Sequence, residues 1–251
     1  MTDMITPKLE IRNLNKAFGA LIATNNASLV VGQGELHALI GPNGAGKTTL
    51  ISQISGELMP DSGTVLLDGR DITRLPAYRR AEVGLARSFQ ISQLYNEFTA
   101  EDNVAMAVQA QSSKRYNLWR NARKDPDLRE PAKLALAKVG LESRGNEKVA
   151  SLAHGEKRQL ELAIALSLNA SVLLLDEPMA GLGAEESMLM KDILQTLKGQ
   201  YAMLLVEHDM DIVFALADRV TVLVYGKPIF TGVPDEVREH SAVREAYLGE
   251  G

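Results

Sequence analysis

The run from Leu36 to Leu50, LHALIGPNGAGKTTL, constrains this chain more than any other. An apolar, strand-like stretch breaks into Gly41-Pro42-Asn43-Gly44-Ala45-Gly46, and Lys47-Thr48-Thr49 then opens a helix-like run. Backbone N–H groups can surround a phosphate only where side chains are missing, and a helix N-terminus behind them adds the positive end of its dipole. Gly41, Gly44 and Gly46 supply that absence. In the pattern G-x-x-x-x-G-K-T, Lys47 sets its ammonium between β- and γ-phosphates, and the Thr48 hydroxyl ligates a Mg²⁺ that bridges the same oxygens. Thr49 adds a further contact. The competing reading is a glycine turn joining two core elements, and chance alone produces the four fixed positions in about one chain per hundred of this length.

With 251 residues and 45% hydrophobic content, the chain can bury one large α/β core or two small ones. Its longest apolar runs, such as Val172–Leu175 and Met203–Val206, fall far short of the ~20 residues that span a bilayer, and Met1–Glu10 has no signal-peptide pattern. There is no cysteine, hence no disulfide, thiolate nucleophile or Cys-based zinc site. A net charge of −5 argues against direct nucleic-acid binding, which calls for a basic face.

In chain order, Lys8–Leu14 and Ala27–Val31 read as short strands of an antiparallel β edge, with turns at Phe18-Gly19 and Gly32-Gln33-Gly34. Phe18 reads first as a core residue, although its ring could stack on a base. The helix after the phosphate loop ends near Gly56, Gly63–Leu67 is a strand, and Ser88-Phe89-Gln90 closes another. From Gln90 to about Ala153, β character gives way to helical patterns at Ala100–Gln111 and Leu128–Val139, which mark an inserted helical subdomain.

Within that insertion, 112–133 gathers Lys114, Arg115, Arg120, Arg123, Lys124, Arg129 and Lys133 beside Trp119. This reads as a solvated helix pair with a proline-containing loop at Pro126 and Pro131, or else as a surface for lipid head groups or an acidic partner. Beyond it come a helix over Glu156–Leu168, buried strands at Val172–Leu175 and Met203–Val206, a helix over Glu185–Leu197, and a closing hairpin of Val220–Tyr225 and Pro228–Thr231. Strands alternating with helices, with polar clusters at strand carboxyl ends, predict a mostly parallel sheet with its ligand site along that edge.

Those carboxyl ends carry the remaining chemistry. Asp176 follows an apolar strand and can hold Mg²⁺ through water, and Glu177 beside it can take a proton from an attacking water. Gln90 and His208 each follow a strand that should end near the γ-phosphate, where an amide can orient water or metal and an imidazole can hydrogen-bond phosphate. Taken singly, each also fits an ordinary loop residue.

Phe18, GPNGAGKTT at 41–49, SFQ at 88–90, LAHGE at 152–156, VLLLDEP at 172–178, AGLG at 180–183 and VEHDM at 206–210 occur in the order found in ATP-binding cassette (ABC) transporters. The chain resembles their ATP-binding subunit over nearly its whole length. The A-x-G-E signature and the ending Ala246-Tyr247-Leu248-Gly249 resemble the branched-chain amino acid uptake subfamily, with urea or amide importers and the lipopolysaccharide export ATPase as close alternatives. A different class, a soluble cassette ATPase acting on nucleic acid or ribosomes, usually joins two cassettes or inserts a coiled coil, and this chain does neither.

The resemblance implies a single domain over 1–251 with a P-loop NTPase core, 1–89 and 160–251, and a helical subdomain, 90–159, carrying the signature. It implies an ATP-hydrolysing motor at the cytoplasmic face of the membrane, held there by integral permease subunits and served by an external solute-binding protein. Two cassettes, identical or different, would sandwich ATP and Mg²⁺ head to tail. Lys47 and His208 then hold the γ-phosphate, Thr48 and Gln90 ligate Mg²⁺, Asp176 reaches it through water, Glu177 is the general base and Phe18 stacks on adenine. Ala153, His154, Gly155 and Glu156 act in trans, through free N–H groups at the start of their helix. Ile91–Asn103 would meet a membrane-subunit helix. Ala153 stands where a serine is usual, His154 replaces glycine, Glu156 replaces glutamine, and Gly181 and Gly183 stand where relatives place alanine and aspartate.

Overall fold

The computed structural model describes residues 7–88, 94–111 and 125–248. Gln90, Trp119 and the basic residues of 112–124 lie outside the described residues. In chain order the elements are β1 (Pro7–Phe18), β2 (Leu21–Gly32), β3 (Leu36–Ile40), α1 (Lys47–Ser55), β4 (Ser62–Leu67), β5 (Arg70–Asp71), α2 (Ala77–Glu82), β6 (Leu85–Ser88), α3 (Ala100–Gln111) and α4 (Pro126–Lys138). There follow α5 (His154–Ser167), β7 (Val172–Asp176), α6 (Ala184–Leu197), β8 (Ala202–Val206), α7 (Met210–Leu216), β9 (Arg219–Val224), β10 (Lys227–Gly232), α8 (Pro234–Glu239) and α9 (Ser241–Leu248). They divide between two compact units: the residues up to Arg87, Ser171–Glu177 and those from Leu194 onward, and Ser88–Ala170 with Pro178–Ile193.

The first unit holds a six-stranded sheet in the order β10-β9-β3-β8-β7-β6 and a four-stranded one in the order β2-β1-β4-β5. Every residue of β3, β7 and β8 is buried, as uninterrupted apolar strands in a parallel sheet require. Parallel pairing of Leu39 with Val206 and of Asp176 with Val206 brings three carboxyl ends to one edge. That edge is where the phosphate loop, Glu177 and His208 begin.

The antiparallel arm is longer than its sequence suggests, with β1 and β2 running to 12 residues each instead of the shorter strands expected. Asn13 and Asn26 sit at φ 50° and 49°, among several register shifts between these strands. Asn tolerates such bulges, which break the alternation that would betray a strand. Side chains hold them: the Asn13 N–H donates to Ser28 Oγ at 2.8 Å, and the Asn26 N–H to Asn15 Oδ1 at 2.8 Å. Helix α2 was also missed. It presents Arg80, wholly buried, whose guanidinium donates to the carbonyls of Leu75, Gln53, Ile54 and Thr73 and so satisfies the open end of α1.

In the second unit α3, α4 and α5 pack on one another. Pro126 and Pro131 lie within α4 and not in the loop expected of them. Pro126 takes the first helical position, where its missing N–H is no loss, and Asp125 caps the Asp127 N–H. Pro131 does remove a helix bond, which burial of Ala132, Ala135 and Leu136 offsets. Arg129, one of the basic residues, is tied to Asp102 at 2.7 Å and Glu101 at 3.3 Å on α3.

A buried polar chain crosses the first unit below the site: His37 Nδ1 donates to Glu35 Oε1 at 3.0 Å, His37 Nε2 meets Thr221 Oγ1 at 2.7 Å, and Thr221 meets Thr231 at 2.8 Å. Burial pushes the Glu35 carboxyl up, but hydrogen bonds from His37 and the Gly32 N–H, with the Arg219 charge, hold it below its ordinary value. A lowered carboxylate stabilises the fold above its unfolded pKa, about 4.3, and the contribution disappears as pH falls through the folded value. Glu35→Gln should therefore cost ~1–3 kcal/mol in urea unfolding at pH 7, with a gap from the parent protein that narrows below pH ~4.

Candidate nucleotide site

Two backbone carbonyls shape the phosphate loop. A Cβ at Gly41 would overlap the Leu223 carbonyl oxygen of β9, and one at Gly46 would overlap the Ala23 carbonyl oxygen of β2. Gly46 also sits at φ +98°, a left-handed conformation in which only glycine is unstrained. From inside, the Ala45 carbonyl accepts the Gly226 N–H at 2.7 Å. The N-terminus of α1 has no side-chain cap and no acid in its first turn, so its N–H groups and dipole suit an anion.

Lys47 is only 8% exposed, and its Nζ donates to the carbonyls of Gly41 at 2.6 Å and Pro42 at 3.0 Å. Burial lowers its pKa, against the opposing pull of Glu177 and Asp176. Asn43, Gly44 and Thr48 are exposed, with Pro42 and Thr49 partly so. Phe18 is 51% exposed at the turn of the β1–β2 arm, with the Lys16 ammonium 5.6 Å from its ring centre. That exposure corrects the core reading: the ring is presented by the arm whose Ala23 braces the loop.

Asp176 ends β7 and Glu177 follows at φ 49°, its N–H donating to the Val206 carbonyl at 2.9 Å. Such a conformation costs a non-glycine residue roughly 1 kcal/mol. It leaves the Glu177 side chain 45% exposed, 4.0 Å from His208 Nδ1. Thus Lys47, Asp176, Glu177 and His208 stand at one sheet edge, and Gln90 lies outside the described residues. The sequence reading missed Arg87, which pairs with Asp176 at 2.8 Å and Glu57 at 2.6 Å. Its only signal was an arginine directly after the apolar pair Leu85-Ala86.

The signature belongs to the second unit, where Ala153 is the N-cap of α5 and its N–H donates to Glu156 Oε2 at 2.8 Å. The N–H of Gly155 is not free as expected: it donates to Glu186 Oε1 at 3.1 Å, while Glu186 Oε2 accepts the Gly183 N–H at 3.1 Å. A carboxylate three residues past Gly183, in capping-box spacing, was the available signal. Gly181 is left-handed at φ +78°, and a Cβ there would come within 3.3 Å of His154 Nε2. Two of the departures from the usual pattern, His154 and Gly181, are thus neighbours.

The ABC transporter family matches residues 24–180, through the phosphate loop and the signature to Asp176-Glu177 and beyond. The chain belongs to the ABC transporter ATPases. A second match, to the branched-chain amino acid ATP-binding cassette transporters, covers residues 227–251. This ABC ATPase is 36% identical to the high-affinity branched-chain amino acid transport ATP-binding protein LivG of Salmonella typhimurium, over 98% of this chain and 100% of that one. It is 35% identical to BraF of Pseudomonas aeruginosa, over the same shares. A nucleotide-free ATP-binding cassette from an ABC transporter superposes with a TM-score of 0.85 at 29% identity, covering 96% of this chain and 98% of the other. An ATP-binding cassette of an ABC transporter in its ADP conformation gives the same score and identity, at 97% and 99% coverage.

Two glycine variants test the loop. Gly46→Ala meets both the Ala23 carbonyl and the left-handed backbone, and should weaken a fluorescent ATP analogue by roughly tenfold or more, the equivalent of ~1.4 kcal/mol. Gly44→Ala, with nothing within 4 Å, should cost only the ~1–2 kcal/mol of backbone strain in a urea titration.

Proposed function

We propose that this ABC ATPase powers the import of branched-chain amino acids. The observation that carries the reading is similarity to LivG and BraF along the whole chain, joined by the separate match of its C-terminal 25 residues, 227–251. No helix among the described residues is long and apolar enough to cross a membrane. The cassette then works from the cytoplasmic face through integral permease subunits, with an external binding protein presenting solute. Leu94–Asn96, within the segment proposed to meet a permease helix, line a cavity of about 660 Å³ with His154, Lys157, Arg158 and Glu161 of the same unit.

In the proposed cycle ATP lies on the phosphate loop with Phe18 against adenine, and Lys47 and His208 hold the γ-phosphate. Among the described residues no three acids or histidines cluster as a metal site. A Mg²⁺ that takes most of its ligands from phosphates and water needs few protein oxygens, and Thr48 and Gln90 would hold it directly and Asp176 through water. Bound Mg²⁺ would neutralise the charge that builds on the phosphates. Glu177 takes a proton from water as its oxygen bonds to the γ-phosphorus, the β–γ bridging bond breaks, and ADP leaves. The opposite wall comes from Ala153–Glu156 of a second cassette, so binding closes the pair and hydrolysis reopens it.

Two measurements test this. Glu177→Gln should lower ATP turnover by about 10²–10⁴-fold with nucleotide still bound. In proteoliposomes with its permease subunits, the parent protein should drive leucine uptake over urea; the reverse preference, or turnover near normal in the variant, refutes the reading. Glu186 competes for the Gly155 amide in the same closure, so adding Glu186→Ala to the Glu177→Gln background should tighten ATP-dependent dimers by roughly threefold or more in sedimentation equilibrium, as loss of a like charge worth ~1 kcal/mol would.

A further inference from the structure

Asp176 is a carboxylate with almost no access to water, and its side chain is 5% exposed. Lys47 does not neutralise it directly, since that ammonium is spent on the carbonyls of Gly41 and Pro42. The direct ion pair is with Arg87, 7% exposed on β6, whose Nη2 donates to Asp176 Oδ2 at 2.8 Å. The other end of the guanidinium, Nη1, donates to Glu57 Oε2 at 2.6 Å and lies 3.3 and 3.4 Å from the hydroxyls of Ser52 and Ser55. Arg87 therefore bridges the end of β7 to the C-terminal turn of α1, the helix that begins at Lys47.

We infer that Arg87 is a positioning residue that acts as the resident counter-ion of Asp176, keeping the carboxylate from recruiting a divalent cation until the cation arrives with nucleotide. This rests on the reading of Asp176 as the Mg²⁺ carboxylate. A fixed positive charge on one carboxylate oxygen opposes a second cation at the same group, and the opposition is strong where water is excluded. Nucleotide phosphates add the negative charge that lets both cations share the site. Glu57, on the helix end, gives Arg87 a second acid to lean on as Asp176 turns toward metal. Because the other end of the guanidinium is held by Glu57, its single contact with Asp176 also ties Oδ2 to a fixed donor.

The test uses Mn²⁺ binding to the nucleotide-free protein, followed by the paramagnetic signal of the free ion. Arg87→Gln and Arg87→Met should bind Mn²⁺ about tenfold or more tightly than the parent chain, a gain removed by adding Asp176→Asn, while charge-retaining Arg87→Lys stays near the parent. Affinity within twofold of the parent in a folded neutral variant overturns the inference. Should both neutral variants fail to fold, Glu57→Gln, at a partly exposed position, decides. It commits Arg87 wholly to Asp176 and should raise the Mg²⁺ concentration for half-maximal binding of a fluorescent ATP analogue by about threefold or more; no change overturns the inference. Asp176→Asn alone separates the two levels. If it leaves the Mg²⁺ dependence of nucleotide binding untouched, the role of Asp176 falls and the inference with it. If it shifts that dependence while the Arg87 variants do not shift Mn²⁺ binding, only the inference falls.

Discussion

Close approach of backbone to backbone is the constraint on which the nucleotide site depends. The loop between β3 and α1 can curl around a phosphate only because the Leu223 and Ala23 carbonyls press on it where no side chain intervenes. One carbonyl comes from the parallel sheet and the other from the antiparallel arm, so the loop is clamped by both sheets of the first unit. The arm is consequently more than an edge. By bracing the loop through Ala23 it also fixes where Phe18, at its turn, is presented.

Parallel register does the corresponding work for the acids. Because Asp176 pairs with Val206, and Val206 with Leu39, the three strands reach the loop together, and whatever follows each of them is delivered to one edge. The hydrogen bond from Glu177 to the Val206 carbonyl extends that logic by one residue. It holds Glu177 in a left-handed conformation that would otherwise relax. A modest backbone cost thereby turns the side chain outward, although its neighbour Asp176 is buried.

Much of this was legible because it is local. The glycine pattern, the apolar strands and the acids after them are spelled within a few residues of each other, so motif and element coincide. The residues that escaped notice work at a distance: Arg87 and Asp176 are separated by 89 positions, and Gly155 and Glu186 by 31. Only the apolar pair Leu85-Ala86 before it hints that the Arg87 guanidinium is buried. The β arm was under-read for a different reason, since Asn13 and Asn26 carry bulges that erase the alternation on which a strand reading relies. Of the prolines of α4, Pro126 occupies the first helical position, which suits it, and Pro131 was misplaced because tertiary burial outweighed a local preference against helix.

The departures from the usual signature have a related explanation. His154 in place of glycine puts an imidazole at the start of α5, and a side chain at residue 181 would crowd that ring. Glycine at 181 thus leaves that ring its room, and its left-handed backbone at φ +78° favours glycine in any case. Glu156, in place of glutamine, keeps an acceptor on the Ala153 N–H and adds a negative charge at the helix start, where the dipole favours it. With Glu186 also on the Gly155 N–H, two carboxylates satisfy amides at this helix start. The helix start is thus capped by the protein's own carboxylates, and any anion drawn to its N–H groups must displace one already in place.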